Sequence, residues 1–218
     1  GRSGLGDYGD FVMETDGVVG DVLNRLDALN MAENTLVVFT SDNGCSAPAA
    51  DAARLENEFG HFPSAHFRGY KSDIWEGGHR VPFFVRWPGR IEPGRTTDLQ
   101  AYFPDLISTL CDYAGAAAPK FTDGFSLAEA LTGDEPAQRR HEHLYFEYRG
   151  QLAVRRGQMK YYRDAEGSEA LYDLEADRHE DRDIKAVRPD VFDELRSIAA
   201  AEHEDYTPFE VPGGQVYE

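Results

Sequence analysis

Apolar side chains at Phe11, Val12, Val18, Val19, Val22, Leu23, Leu26 and Leu29 recur close to an i, i+3, i+4, i+7 spacing. That repeat predicts an amphipathic helix over residues 10–29, despite Gly17 and Gly20, with Asp16 and Asp21 on its solvated face. A polar link, residues 30–34, leads to Leu36, Val37, Val38 and Phe39, four apolar residues without alternation. Such a run predicts a strand covered on both faces. Helix, short loop and buried strand together are the rhythm of an α/β sheet.

Residues 45–70 lack a clear period and are rich in Ala, Pro, Gly and His, so a long irregular connection is expected there. A second strand follows over residues 81–87, with Pro82 near its start and Trp87-Pro88-Gly89 as the closing turn. Residues 103–114 predict a helix, with Pro104 in the first turn and Leu106, Ile107 and Leu110 on one face. A short helix over residues 126–131 stops before Gly133.

The polar stretch 136–140 marks a boundary, dividing the chain into an α/β part over residues 1–140 and a small α+β subdomain over residues 141–218. In the second part, strands are predicted at residues 144–148, 152–155, 159–162 and 171–174. Gly150, the Arg156-Gly157 pair and Gly167 separate them as turns. A helix over about residues 189–201 faces Val191, Phe192, Leu195 and Ile198 inward.

With 218 residues and 41% hydrophobic content, the chain is long enough to bury a core. No apolar run approaches the ~20 residues of a membrane helix. Its formal net charge of -18 argues against a nucleic-acid or anionic-membrane partner, since either needs a basic face. Two cysteines, Cys45 and Cys111, suggest neither a disulfide framework nor a zinc site.

Two stretches carry candidate chemistry. Ser41-Asp42-Asn43-Gly44 ends the first strand, and ligands of open α/β sheets sit beyond the carboxyl ends of strands. The carboxylate of Asp42 and the carboxamide oxygen of Asn43 suit a hard cation such as Ca²⁺ or Mg²⁺, although an Asx-capped turn uses the same residues. The second stretch, residues 61–80, is locally positive within an acidic chain, with His61, His66, His79, Arg68, Lys71 and Arg80 against Asp73 and Glu76. It reads as an anion site or as a solvated loop. In the first case Lys71 offers a compact charge, Arg68 a planar fork, and Gly77-Gly78 a close approach of backbone to a ligand.

These segments resemble a known family. Residues 35–44, Arg68-Gly69-Tyr70-Lys71, Trp75-Glu76-Gly77-Gly78-His79-Arg80-Val81-Pro82 and Arg86-Trp87-Pro88-Gly89 look like the second half of a type I, formylglycine-dependent sulfatase of the alkaline phosphatase superfamily. Asp105-Leu106-Ile107-Ser108-Thr109-Leu110, Asp123-Gly124-Phe125-Ser126-Leu127 and Leu171-Tyr172-Asp173-Leu174 continue the likeness over nearly the whole chain.

The resemblance implies the C-terminal half of a mixed, mostly parallel sheet flanked by helices, plus a small subdomain with a short antiparallel sheet and a helix. It implies Asp42 and Asn43 as ligands of Ca²⁺ (alternatively Mg²⁺), Lys71 as a sulfate contact, and His61, Ser64 and Arg68 beside the organic half of a sulfated carbohydrate or aryl sulfate. It also implies an extracellular, periplasmic or lysosomal setting.

One departure matters for activity. The Cys/Ser-X-Pro-X-Arg signature that yields formylglycine has its nearest approach in Ser46-Ala47-Pro48-Ala49-Ala50, where Ala50 replaces the arginine. The nucleophile, the signature arginine, the paired metal aspartates and the upstream Lys and His are therefore expected in an N-terminal half of the same protein. The chain alone is expected to be inactive. A phosphoester or phosphonate monoester hydrolase of the same superfamily, and a non-catalytic sulfated-glycan-binding module, are the alternatives.

Overall fold

The structure is a computed structural model that describes residues 1–204. Two compact units divide the chain, one formed by Gly1–Glu142 with Ala176–Glu180, the other by His143–Glu175 with the chain from Asp181 onward.

The first unit begins with α1, Gly6–Ala28. A short 3₁₀ turn, Ala32–Asn34, leads into β1, Val37–Thr40. The stretch expected to be irregular instead contains α2, Ala47–Ala50, and α3, Ala52–Phe59. Five alanines among residues 47–53 favour helix strongly enough to override the lack of apolar period. Asp51 (φ 51°) takes a left-handed conformation between the two helices, and Gly60 (φ 60°) ends α3 in the same way. A single buried turn, α4 (Glu76–His79), precedes β2, Phe83–Arg86. Next come α5, Pro104–Ala114, and α6, Ala128–Thr132.

The α/β class holds, with two differences in detail. β1 pairs with β2 antiparallel, from Val37 opposite Arg86 to Thr40 opposite Phe83, so the expected parallel pairing is absent from the described residues. β1 is also half-buried along its length rather than covered on both faces. The apolar side of α1 is open, with Phe11 65% and Val18 57% exposed, and Gly9 is its one buried residue.

The helix α5 is inverted relative to a conventional amphipathic helix. Asp105, Ser108 and Thr109 are buried, while Ile107 and Leu110 are exposed. Its polar side works as a set of hydrogen-bonding posts. Asp105 Oδ1 accepts from the Phe125 backbone N–H at 2.8 Å, and Oδ2 from that of Tyr102 at 2.9 Å. The Ser108 hydroxyl donates to the Gly124 carbonyl (2.8 Å), and Thr109 Oγ1 accepts from the Leu127 N–H (2.9 Å). A Cβ on Gly124 would lie 1.9 Å from the Pro104 carbonyl oxygen, so this approach demands glycine.

The second unit is a four-stranded antiparallel meander, β3 (Leu144–Tyr148), β4 (Gln151–Arg156), β5 (Met159–Arg163) and β6 (Glu169–Asp173), followed by α7 (Pro189–Glu202). Arg149 (φ 50°) and Gly150 (φ 80°) make the two-residue turn between β3 and β4, which needs positive φ at both positions. One residue later than expected, Gly157 (φ 58°) opens the turn before β5. Register aligns Val154, Tyr161 and Leu171 across three strands, where α7 covers them with Val191, Leu195 and Ala199. Phe192 and Ile198, expected to face inward, pack at the margin of this core.

Candidate functional site

The end of β1 turns sharply at residues 41–44. Ser41 Oγ donates to the Asn43 carbonyl at 2.9 Å, closing the turn, and Asn43 Nδ2 donates to Asp42 Oδ2 at 2.5 Å. The two polar side chains thus converge rather than diverge, with Asp42 exposed and Asn43 half-buried.

Backbone contacts bring the loop bearing Lys71 to this turn. The Gly44 N–H donates to the Gly78 carbonyl at 2.8 Å, and the Lys71 N–H to the Cys45 carbonyl at 2.8 Å. The Gly77 N–H donates to the Arg68 carbonyl, also at 2.8 Å. Glycine is required on both sides of the junction: a Cβ on Gly44 would lie 1.8 Å from the Gly77 carbonyl oxygen, and one on Gly78 2.0 Å from that of Asp73. Gly77-Gly78 therefore admits protein backbone here, where the sequence reading had backbone approaching a ligand. Lys71 itself sits exposed at the tip of a turn held by the Tyr70 N–H donating to Asp73 Oδ2 at 2.9 Å.

The other cations of this stretch are engaged within the frame. Arg68 stacks its guanidinium 3.9 Å from the Trp75 ring centroid and donates to the Glu180 carbonyl at 2.9 Å. Arg80 pairs with the buried Glu76 at 3.3 Å and lies over Phe67. The buried carboxylate of Glu180 accepts from the Glu76 N–H at 2.8 Å. Glu180 lies 104 positions beyond Glu76 in a run of mixed charge, where nothing in the local pattern points to this role. Among the substrate-side candidates, His61 is tied by its N–H to the Leu55 carbonyl (3.0 Å), and Ser64 Oγ is buried with no hydrogen-bond partner.

Tyr8, at the start of α1, adds a contact the sequence did not disclose. Burial, and then a hydrogen bond with the Cys45 side chain, push its hydroxyl up to about 12. Tyr70 is likewise raised to about 12, by burial and by its hydrogen bond to the Glu56 carboxylate.

Chemically, the turn offers a carboxylate and a carboxamide side by side, and the adjoining loop offers one exposed ammonium. An amide oxygen and nitrogen are assigned from their surroundings. With a cation present, the Asn43 amide turned over would present its oxygen beside that of Asp42. Two oxygens fall short of the about six to eight that Ca²⁺ takes. Among the described residues no cluster of three or more His, Cys, Asp or Glu suited to a metal is present. The pair fits a partial donor set.

Known proteins resemble this chain along most of its length. The chain is 31% identical over 219 residues to an N-acetylgalactosamine-6-O-sulfatase of Bacteroides thetaiotaomicron, a match covering 91% of this chain and 42% of that protein. It is 37% identical over 172 residues to human arylsulfatase A, covering 77% of this chain and 32% of that one. It therefore spans less than half the length of these relatives. A solved structure concerned with glycosaminoglycan metabolism by Bacteroides thetaiotaomicron superposes with a TM-score of 0.78 at 30% identity, over 92% of this chain and 45% of that one. The sulfatase family model matches residues 2–116, and the model of the N-sulphoglucosamine sulphohydrolase C-terminal region matches residues 69–197. The glycine junction and the two segments it joins are thus part of a matched whole, and the chain belongs to the sulfatase family.

Proposed function

We propose that this chain supplies part of the active site of a sulfuric ester hydrolase whose remaining parts lie in a longer polypeptide. The observation that carries the reading is the glycine-lined junction joining the Asp42-Asn43 turn to the Lys71 loop through two 2.8 Å backbone hydrogen bonds. It holds the turn that bears Asp42 and Asn43 against the segment that bears Lys71, and in this reading the oxygens of the pair take a hard cation while the ammonium meets an oxyanion.

Asp42 and Asn43 would hold Ca²⁺, or alternatively Mg²⁺, with further oxygens from outside this chain. When bound, the ion supplies positive charge that neutralises sulfate oxygens. Lys71 donates to a sulfate oxygen and balances negative charge as the ester bond breaks. His61, Ser64 and Arg68 stand on the substrate side in this reading. Arg68 contributes through the frame it builds with Trp75 and Glu180, and Ser64 keeps a free hydroxyl.

The 218 residues contain no Cys/Ser-X-Pro-X-Arg signature, so the formylglycine nucleophile comes from the N-terminal half that we infer. In that arrangement residues 1–140 complete the catalytic α/β domain and residues 141–204 belong to its small C-terminal subdomain, the remainder of the expected span 141–218 lying outside the described residues. The open faces of α1 and α5 support such a partner. Family membership supports a sulfated sugar or aryl sulfate as substrate, and an extracellular, periplasmic or lysosomal setting.

The direct test is Asp42→Ala in the full-length protein. Bound Ca²⁺ or Mg²⁺, measured by elemental analysis, and sulfate release are expected to fall together. Unchanged metal content removes Asp42 from the ligand set. Parallel assays on sulfate and phosphate or phosphonate esters separate the sulfatase reading from its superfamily alternative, and glycan binding without turnover would favour the non-catalytic module.

A further inference from the structure

Lys71 stands on a tightly wound turn. Gly69 (φ 83°) and Ser72 (φ 80°), on either side of it, are both left-handed. A Cβ on Gly69 would lie 2.8 Å from Trp75 Cβ and 2.9 Å from Asp73 Oδ2. The Asp73 N–H donates to the Tyr70 carbonyl at 3.0 Å and closes the tip. A serine keeps such a backbone conformation where the surroundings over-determine it, so the arms of the turn have to be held.

They are held from more than a hundred positions away. Ala176–Glu180 belong to the first unit, whereas the residues before and after them belong to the second. This strap ends in Glu180, which is fully buried and takes a left-handed φ of 59°. Glu180 reaches both arms of the Lys71 turn. Its Oε2 accepts from the Glu76 N–H at 2.8 Å, and its carbonyl accepts from Arg68 Nη1 at 2.9 Å. Between the arms, the Gly77 N–H donates to the Arg68 carbonyl at 2.8 Å, and the Arg68 guanidinium lies 3.9 Å from the Trp75 ring centroid.

We propose that Glu180 is a positioning residue for Lys71; the inference rests on the hydrolase reading above. By clamping residues 68 and 76 it fixes where the ammonium stands relative to the Asp42-Asn43 turn, which the same segment meets through the Gly44–Gly78 and Lys71–Cys45 backbone bonds. A glutamate that is both fully buried and left-handed is uncommon on each count. An apolar side chain would fill the space with less desolvation, but it would take the acceptor away from the Glu76 N–H.

The test compares Glu180→Gly with wild type in the full-length protein. Glycine keeps the left-handed backbone and the carbonyl that Arg68 reaches, and removes the carboxylate. For a sulfate ester, kcat is expected to fall about 10²-fold with KM within about twofold, the pattern of a displaced transition-state contact. In a Lys71→Ala background the same substitution is expected to cost less than about threefold, because the group it positions is already gone. Glu180→Gln, which retains an oxygen for the Glu76 N–H, is expected to keep kcat within about threefold of wild type. Amide hydrogen exchange over residues 68–80 is expected to quicken about tenfold in Glu180→Gly, with residues 144–163 unchanged. Glu180→Asp, whose carboxylate stops one methylene short, takes the place of the glycine variant if that variant does not fold.

Unchanged exchange over residues 68–80 overturns the clamp whether or not sulfate is released, and faster exchange in every segment reduces Glu180 to general stability and overturns it as well. An equal loss of kcat with and without Lys71 overturns the route through Lys71 and leaves the hydrolase reading standing. Faster exchange confined to residues 68–80, beside a wild type that hydrolyses no ester, keeps the clamp and removes the hydrolase reading instead.

Discussion

Lys71 and Arg68 show how two cations three residues apart come to different ends. Both were candidate anion contacts in the sequence. Arg68 is stacked on Trp75 and bonded to the Glu180 carbonyl, whereas Lys71 projects from a turn whose backbone is held at both sides. A planar guanidinium suits stacking, and a compact ammonium on a flexible stem suits a mobile oxyanion. Lys71→Ala in the full-length protein is expected to lower kcat for sulfate esters by about 10²–10³, the scale of losing one transition-state donor. Its thermal stability should stay within about 0.5 kcal/mol of wild type, because the side chain is exposed. A wild-type rate on every ester tried would end the assignment.

Among the elements, α5 departs furthest from its pattern. The sequence groups Leu106, Ile107 and Leu110 on one face, yet Ile107 and Leu110 are exposed, and the opposite, polar face is buried. Asp105 explains the inversion. Its fully buried carboxylate accepts two backbone N–H groups and meets His141 Nε2 at 2.8 Å. The His141 ring in turn stacks on Phe125 at 4.4 Å, with Arg139 on that ring as well. One carboxylate therefore anchors chain segments up to 36 positions away. Asp105→Ala strands these donors in a dry interior and is expected to cost about 3–5 kcal/mol by urea denaturation, the range for breaking a buried pair. A cost under about 1 kcal/mol would show that α5 is held by something else.

On the scale of the whole molecule, the exposed apolar surface is the feature that asks for a partner. Phe11, Val18 and Val22 follow one another along α1 at helical spacing, with Leu29 just past its end, each 47–65% exposed. The same side chains give opposite expectations in the two contexts. In the isolated chain, Phe11→Ser with Val18→Ser should reduce binding of a hydrophobic dye and raise solubility. In the full-length protein the same pair should destabilise, by about 2–5 kcal/mol if each side chain is buried against the inferred half. Lower stability in neither context would sink the idea that α1 is covered. The isolated chain is also expected to leave a chromogenic sulfate ester untouched, and turnover by it would refute the nucleophile's absence.

What the sequence determined by itself was local: the helix at α1, the apolar run at β1, the meander with its glycine turns, and the Val191 and Leu195 face of α7. Each is written in a period or a turn residue that acts within a few positions. Family likeness added the proposal that Asp42, Asn43 and Lys71 act at one site, because ordered motifs carry information where single fragments carry none. The tertiary structure alone decided the antiparallel β1–β2 pair, the inverted α5, and the frame reaching from Arg68 to Glu180. Those outcomes depend on which backbone groups meet across long stretches of chain. A carboxylate is buried when distant N–H donors converge on it, and that convergence leaves no mark on local hydrophobic pattern.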